Sequence, residues 1–358
     1  MPKNFLKKFI RRNKIYKLCY IILIQQILIT LLIFNIINKN IKIYEKKKKL
    51  LKVFKNDTVN DSYLYEKIKE DYDNNYFVII ICKRCKYCGL FALLKYYLHD
   101  INDFINNGYI PIIDLSSYPN VFNGFNKTSL NDNPFELFFN QPFGYTLINV
   151  IEKATKIKYF NCTFPHHMLN HKTIYFHNYI FKFWQNILFK YIPIKNEIIN
   201  QSYLIKNDLF KNSENVLGIL IRGTDYLARK PKFHPIQPKV KIVINDIKEF
   251  NEKNKYDFFF IGTEDINIRN QFINEFGEKL KYIKSKNNIE YNYKKKNFLA
   301  LNKNMKGNID NIKIYLLNII ILSKCIDIIC SRTNGTIGLL ILSMGFRNYK
   351  IYFLGEYK

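Results

Sequence analysis

The chain has 358 residues, 48% of them hydrophobic, which is enough apolar material for a large core and excludes a chain disordered throughout. Its formal net charge of +27 raises nucleic acid, anionic lipid and small acidic molecules as partners. No nucleic-acid motif accompanies that charge, and Lys, Asn, Ile, Tyr and Phe are abundant along the whole chain, so the excess is read as solvated lysine and no nucleic-acid partner is expected.

Residues 1–17 carry Lys3, Lys7, Lys8, Arg11, Arg12, Lys14 and Lys17 with no acidic residue, and read as a cytosolic basic tail. Residues 18–37 are nearly all apolar, interrupted by Gln25, Gln26, Thr30 and Asn35. About twenty such residues span a hydrocarbon core as a helix, so this segment is predicted to be a transmembrane signal anchor with the lipid bilayer as its partner. Residues 38–75, which include Lys46 to Lys49, are lysine-rich and without a period, as expected of a stalk. The expectation is a single-pass type II membrane protein, in the Golgi or endoplasmic reticulum if eukaryotic and in the inner membrane if bacterial.

Tyr76 to Cys82 is a continuous apolar run, the pattern of a strand buried on both faces of a parallel sheet, and Cys88-Gly89 leads into a helix at Leu90 to Leu98. A second strand, Tyr109 to Asp114, precedes a loop-rich stretch with Asn133-Pro134-Phe135-Glu136 and Gln141-Pro142. These place an irregular N-terminal α/β domain at 76–205. Six of the seven cysteines lie beyond Cys19 of the apolar segment, which is compatible with disulfides whose pairing stays open. The Cys82, Cys85, Cys88 spacing lacks a second cysteine pair, and His166, His167, His171 and His177 lack a neighbouring carboxylate, so no metal is expected.

The second half, 206–358, alternates more regularly. Strands are predicted at Val216 to Ile221, Phe258 to Ile261 and Ile326 to Cys330, and helices at Val240 to Asn251, Ile266 to Phe276, Ile312 to Lys324 and Ile337 to Met344. That order argues for a doubly wound parallel sheet, whose ligand sits beyond the carboxyl ends of the strands.

Polar residues stand at those ends. Arg222-Gly223-Thr224-Asp225 follows the first strand, and a guanidinium there suits a diphosphate, which it grips with two parallel N–H donors. Gly223 leaves room for close approach, Thr224 offers a hydroxyl, and Asp225 holds the guanidinium, fixes the loop or serves as a base. His234, in the loop after it, is a candidate acid–base or acceptor-binding group. Thr263, Glu264 and Asp265 follow the second strand. Ser331, Thr333, Asn334, Gly335 and Thr336 form a turn that opens a helix, where amides and dipole favour an anion.

The strings GILIRGTDY and KPKFHPIQP, FFFIGTED with a downstream FGEKL, and LSKCIDIICSRTNGTIG resemble the C-terminal domain of fucosyltransferase-like enzymes. The likeness extends over residues 76–358 and is sharpest at 216–265 and 322–338. That superfamily, which includes the α-1,2-, α-1,6- and protein O-fucosyltransferases, carries a strand ending in His-x-Arg-Arg. Leu220-Ile221-Arg222-Gly223 matches it with Arg222 at the first arginine, Leu220 at the histidine and Gly223 at the second arginine.

The resemblance implies an α/β, GT-B-like fold of two Rossmann-type domains, with 76–205 on the acceptor side and 206–358 binding the nucleotide sugar. It implies no cofactor, a nucleotide-sugar donor, GDP-fucose most simply, and a glycan or polysaccharide acceptor attacked with inversion and without metal. Arg222, Asp225 and His234 are then the candidate catalytic residues, with Glu136 a further possible base. Arg222, Gly223, Thr224, Thr263, Glu264, Asp265, Ser331, Thr333, Asn334, Gly335 and Thr336 are the candidate donor contacts. The alternatives are another nucleotide-sugar donor on the same fold, or a membrane-tethered glycan-binding protein without catalysis.

Overall fold

The structure, a computed structural model, describes residues 72–85, 87–162, 178–223, 226, 230, 232–284 and 309–358. The predicted tail, the 18–37 anchor and nearly all of the 38–75 stalk lie outside these residues, as do the four histidines at 166–177. Among the described residues, no helix is long and apolar enough to cross a membrane. All of them except Asn106–Gly108 fall in one compact unit, Leu64–Ile105 with Tyr109–Lys358, and both β-sheets belong to it.

The first sheet has three parallel strands in the order β2 (Ile110–Ile113), β1 (Phe77–Ile81), β3 (Ile157–Asn161). The central strand is FVIII, and Phe77 to Ile80 have no exposed surface, as the unbroken apolar run predicts. Helix α1 (Leu90–Asn106) crosses from β1 to β2, and the short α2 (Leu147–Lys153) leads into β3. Helices α3 (Asn178–Tyr191) and α4 (Asn196–Phe210) complete the first half.

The free edge of β2 is closed by side-chain amides. Gln141 Oε1 accepts from Ile113 N and its Nε2 donates to Ile113 O, while Asn133 Oδ1 accepts from Leu115 N. These contacts satisfy main-chain groups that have no further strand beside them.

The second sheet has five parallel strands in the order β6 (Leu280–Lys281), β5 (Phe258–Gly262), β4 (Val216–Leu220), β7 (Asp327–Ser331), β8 (Asn348–Tyr352). Helices α5 (Val240–Asn254), α6 (Ile266–Phe276), α7 (Ile309–Leu322) and α8 (Asn334–Leu342) connect them. Side chains alternate across a strand. Leu217, Ile219 and Ile221 accordingly join Val243 and Ile247 of α5 and Ile268 and Phe272 of α6 in one core. Val216 and Leu220 point the other way, into a core with Leu316 and Leu322 of α7 and Ile337 of α8.

That second core also holds Leu90, Phe91 and Leu94 of α1 and Leu188 of α3, so a single apolar body runs from the first sheet to the second. Each large side chain taken wholly out of water there contributes about 1.5–3 kcal/mol. The closest approach lies at Gly338, where a Cβ would stand 2.1 Å from the Phe91 ring. Gln185 of α3 adds hydrogen bonds to the carbonyls of Ile341, in the last turn of α8, and Ser343, just past its end.

Candidate functional site

The order of the second sheet reverses at β4. The chain goes from β4 outward through β5 to β6, then returns to place β7 and β8 on the other side. All five strands are parallel, so the carboxyl ends of β4 and β7 flank a crevice of the kind where α/β sheets take ligands. Ile221, Arg222 and Gly223 leave β4 into this crevice. Ser331, at the end of β7, stands beside them, with its Oγ accepting from Arg222 N at 3.3 Å.

The Arg222 side chain is 30% exposed, with Nε 3.6 Å from Glu264 Oε1. Its guanidinium lies 5.0 Å from the ring centroid of Tyr226, an arrangement that holds a cation over the electron-rich face. The Tyr226 ring in turn meets His234 edge-on at 5.4 Å. His234 is exposed, and its Nδ1 lies 3.0 Å from Lys232 O. A carbonyl only accepts, so Nδ1 is the donor in this contact, which leaves Nε2 as the nitrogen open to another partner.

Gly223 has a steric reason to be glycine. A Cβ at this position would stand 2.6 Å from Asp265 Cβ and 2.8 Å from Asp265 Oδ2. Asp265 is itself buried, and its Oδ1 accepts from Asn267 N at 2.9 Å and Ile268 N at 3.2 Å, capping α6. Among the candidate donor contacts Asp265 therefore has a structural task, whereas Thr263 and Glu264 are partly exposed beside it. Thr224 and Asp225 lie outside the described residues.

The β7–α8 turn is organised by its own hydroxyls. Thr333 caps α8 by accepting from Thr336 N, and Thr336 Oγ1 donates to Ser331 O at 2.5 Å. Ser331, Thr333, Gly335 and Thr336 are buried, while Asn334 is partly exposed. The turn thus presents the start of an α-helix toward the crevice. Glu136, the further possible base, sits on the first sheet's loops, where its Oε1 accepts from Leu147 N, Gln141 Nε2 and Asn133 Nδ2. Three donors on one oxygen make it a joint of that loop.

Sequence reasoning did not single out Arg332, Tyr226 or Glu356. The Arg332 side chain is wholly buried, its Nη2 is 3.1 Å from Glu356 Oε1, and its guanidinium stands 4.0 Å from the Phe353 ring centroid. Arg332 lies within the quoted motif, yet its partners come from the last six residues, which carry no periodicity.

Two further features lie away from this crevice. Cys82, just beyond β1, is disulfide-bonded to Cys162, just beyond β3, 80 residues apart in sequence. The pairing removes Cys82 from the Cys82, Cys85, Cys88 spacing. At the amino end of β7, buried Asp327 receives Arg347 and Tyr256 on Oδ2 and Asn348 N on Oδ1. Burial alone would raise the Asp327 pKa, but these hydrogen bonds outweigh it and hold the carboxyl below its ordinary range.

No protein-family model and no curated protein matches the chain. Among solved structures it is similar to NodZ α-1,6-fucosyltransferase soaked with GDP-fucose, at 11% identity and a TM-score of 0.42 over 75% of this chain and 93% of that one. Fucosyltransferase NodZ from Bradyrhizobium gives 12% and 0.41 over the same shares. POFUT1 in complex with GDP-fucose gives 8% and 0.42 over 79% of this chain and 99% of that one. At TM-scores below 0.5 these likenesses assign no activity, which must be argued from the strand ends themselves.

Proposed function

We propose that the chain is a glycosyltransferase that moves a sugar from a nucleotide diphosphate to a hydroxyl of a glycan or polysaccharide, with inversion at the anomeric carbon. The observation that carries this reading is the placement of Arg222 at the carboxyl end of β4, at the switch point of the sheet, half-buried between Tyr226 and Glu264. Charge builds on the leaving diphosphate as the glycosidic bond breaks. A fixed guanidinium and the start of α8 meet that charge without needing to reorganise.

Single displacement requires the attacking hydroxyl to lose a proton. His234 Nε2 is a candidate base, exposed beside Tyr226, and Asp225 remains the other. GDP-fucose is the first donor to test, because it is what the sequence resemblance implies. Anchoring through residues 18–37, with the described body on the luminal or outer side, belongs to the same proposal.

Donor profiling by thermal shift and product formation tests it. A true donor raises the melting temperature with the logarithm of its concentration above Kd, by an amount equivalent to about 2.7 kcal/mol at a hundred times Kd. GDP-fucose should stabilise the protein and be consumed. If no nucleotide sugar shifts the melting temperature or is consumed, the proposal fails; selective stabilisation by a different nucleotide sugar would replace the donor and keep the class.

A further inference from the structure

The last residues of the chain do not trail into solvent. Beyond β8, at the carboxyl edge of the sheet, Phe353 to Tyr357 turn back along the loop that contains His234. Phe233 N donates to Tyr357 O, Tyr357 N to His234 O and Ile236 N to Gly355 O, and Pro235 forms an antiparallel bridge with Glu356. The same strap reaches the β7–α8 turn through Glu356 and Phe353, which engage Arg332. Five residues therefore tie together the two loops that flank the crevice.

This strap and its loop carry aromatic rings in water. Phe233 is 65% exposed and Phe353 is 52% exposed. Phe233 also sits in the left-handed region at φ 64°, which strains a residue with a Cβ, and the hydrogen bond to Tyr357 O helps keep it there. Phe353 has the Arg332 guanidinium stacked on its ring, which fixes the ring's orientation while half the residue stays accessible. The two rings stand on the strap and on the loop it joins, beside the β4 and β7 ends, with apolar surface open to a ligand.

We propose that the strap Phe353–Tyr357 and the 233–236 loop form the acceptor-binding wall of this site, with Phe353 and Phe233 as stacking surfaces for pyranose rings of the acceptor. The inference rests on the transferase reading and names its second substrate's footing. A pyranose has one face of C–H bonds, apolar and weakly positive, and an aromatic face complements it. The wall is continuous with the donor side, since His234 follows Phe233 and meets Tyr226, over which the Arg222 guanidinium lies.

The test uses the full chain in detergent, GDP-fucose as donor, and the p-nitrophenyl glycosides of β-galactose, β-glucose, α-mannose and N-acetyl-β-glucosamine as acceptor probes. Saturation-transfer NMR reads glycoside binding, and turnover gives separate KM values for donor and glycoside. Phe353→Ala and Phe233→Ala should each weaken glycoside binding and raise its KM roughly 3- to 10-fold, the size of one stacking contact. The donor KM should stay within error, and Phe353→Tyr should restore wild-type values. Leu204→Ala, at an exposed residue of α4 outside the wall, should change neither, and melting temperatures of all variants confirm the fold.

Unchanged glycoside binding in both alanine variants, or equal losses for donor and glycoside, would overturn the wall. So would a wild-type protein that binds donor but none of the four glycosides. If GDP-fucose does not bind, the nucleotide sugar that stabilises the protein takes its place in the same test; if none binds, the transferase reading falls and takes this inference with it.

Discussion

Each sheet of this chain has a point where its strand order reverses, and the two carboxyl ends at those points are finished in opposite ways. In the first sheet the residues after β1 and β3 are Cys82 and Cys162, joined covalently. In the second sheet the residues after β4 and β7 begin with Ile221, Arg222 and Arg332, with Ser331 at the end of β7 hydrogen-bonded to Arg222 N. The same topological position holds a staple in one half and a partly exposed arginine, Arg222, in the other. A switch point offers a place for a ligand, and side chains decide whether it is used.

The comparison is sharpened first by removing the staple. A disulfide closing a loop of this length restricts the unfolded chain strongly, so Cys82→Ala with Cys162→Ala should cost about 2–5 kcal/mol of stability, read by denaturant unfolding. Donor affinity of the folded fraction should be unchanged, because the pair stands at the other sheet. A parallel loss of nucleotide binding would break the assignment of separate tasks to the two ends.

Gly223→Ala should cost about 1–3 kcal/mol, since the new methyl meets the Asp265 cap at 2.6 Å and something must shift. Unlike the cysteine change, this one should also weaken donor binding, because Arg222 is the adjoining residue.

The amino end of β7 supplies a control far along the strand from the crevice. Asp327→Asn should lower stability by about 1–3 kcal/mol near neutral pH. The folded carboxyl has a depressed pKa, so its contribution is present above its unfolded value near 4 and is lost as pH falls through the folded value. Unfolding curves of wild type and variant should therefore converge in acid. The smallest expected effect is that of Thr333→Ala, about 1 kcal/mol for a lost helix cap.

What the sequence disclosed follows from burial. Runs such as FVIII, VLGIL and DIICS are buried throughout and could be placed from pattern alone. The edge strands β3, IKYFN, and β8, NYKIY, were missed because half-exposed strands mix Lys, Asn and Tyr with few apolar positions. Helix ends differ from the pattern in both directions: α1 runs on to Asn106, α7 and α8 stop two residues short at Leu322 and Leu342, and α8 starts early at Asn334 because Thr333 supplies a cap inside what reads as a polar turn.

At the candidate site, Arg222 and Glu264 stood out as charged residues immediately after apolar strands, and the structure pairs them. The inward orientation of Ser331 and Thr336 could not be read, since a hydroxyl serves a ligand and its own backbone equally well on paper. Nor could the strap: its contacts with 233–236 and Arg332 join segments more than twenty residues apart with no repeating pattern.

The central claim is that Arg222 grips a diphosphate, and the most direct measurement is kcat/KM for the nucleotide sugar in wild type and Arg222→Ala, with GDP affinity by calorimetry alongside. The predicted result is a loss of about 10²- to 10³-fold in kcat/KM, weaker GDP binding and an unchanged melting temperature. Near-wild-type turnover and GDP affinity in the alanine variant would contradict it.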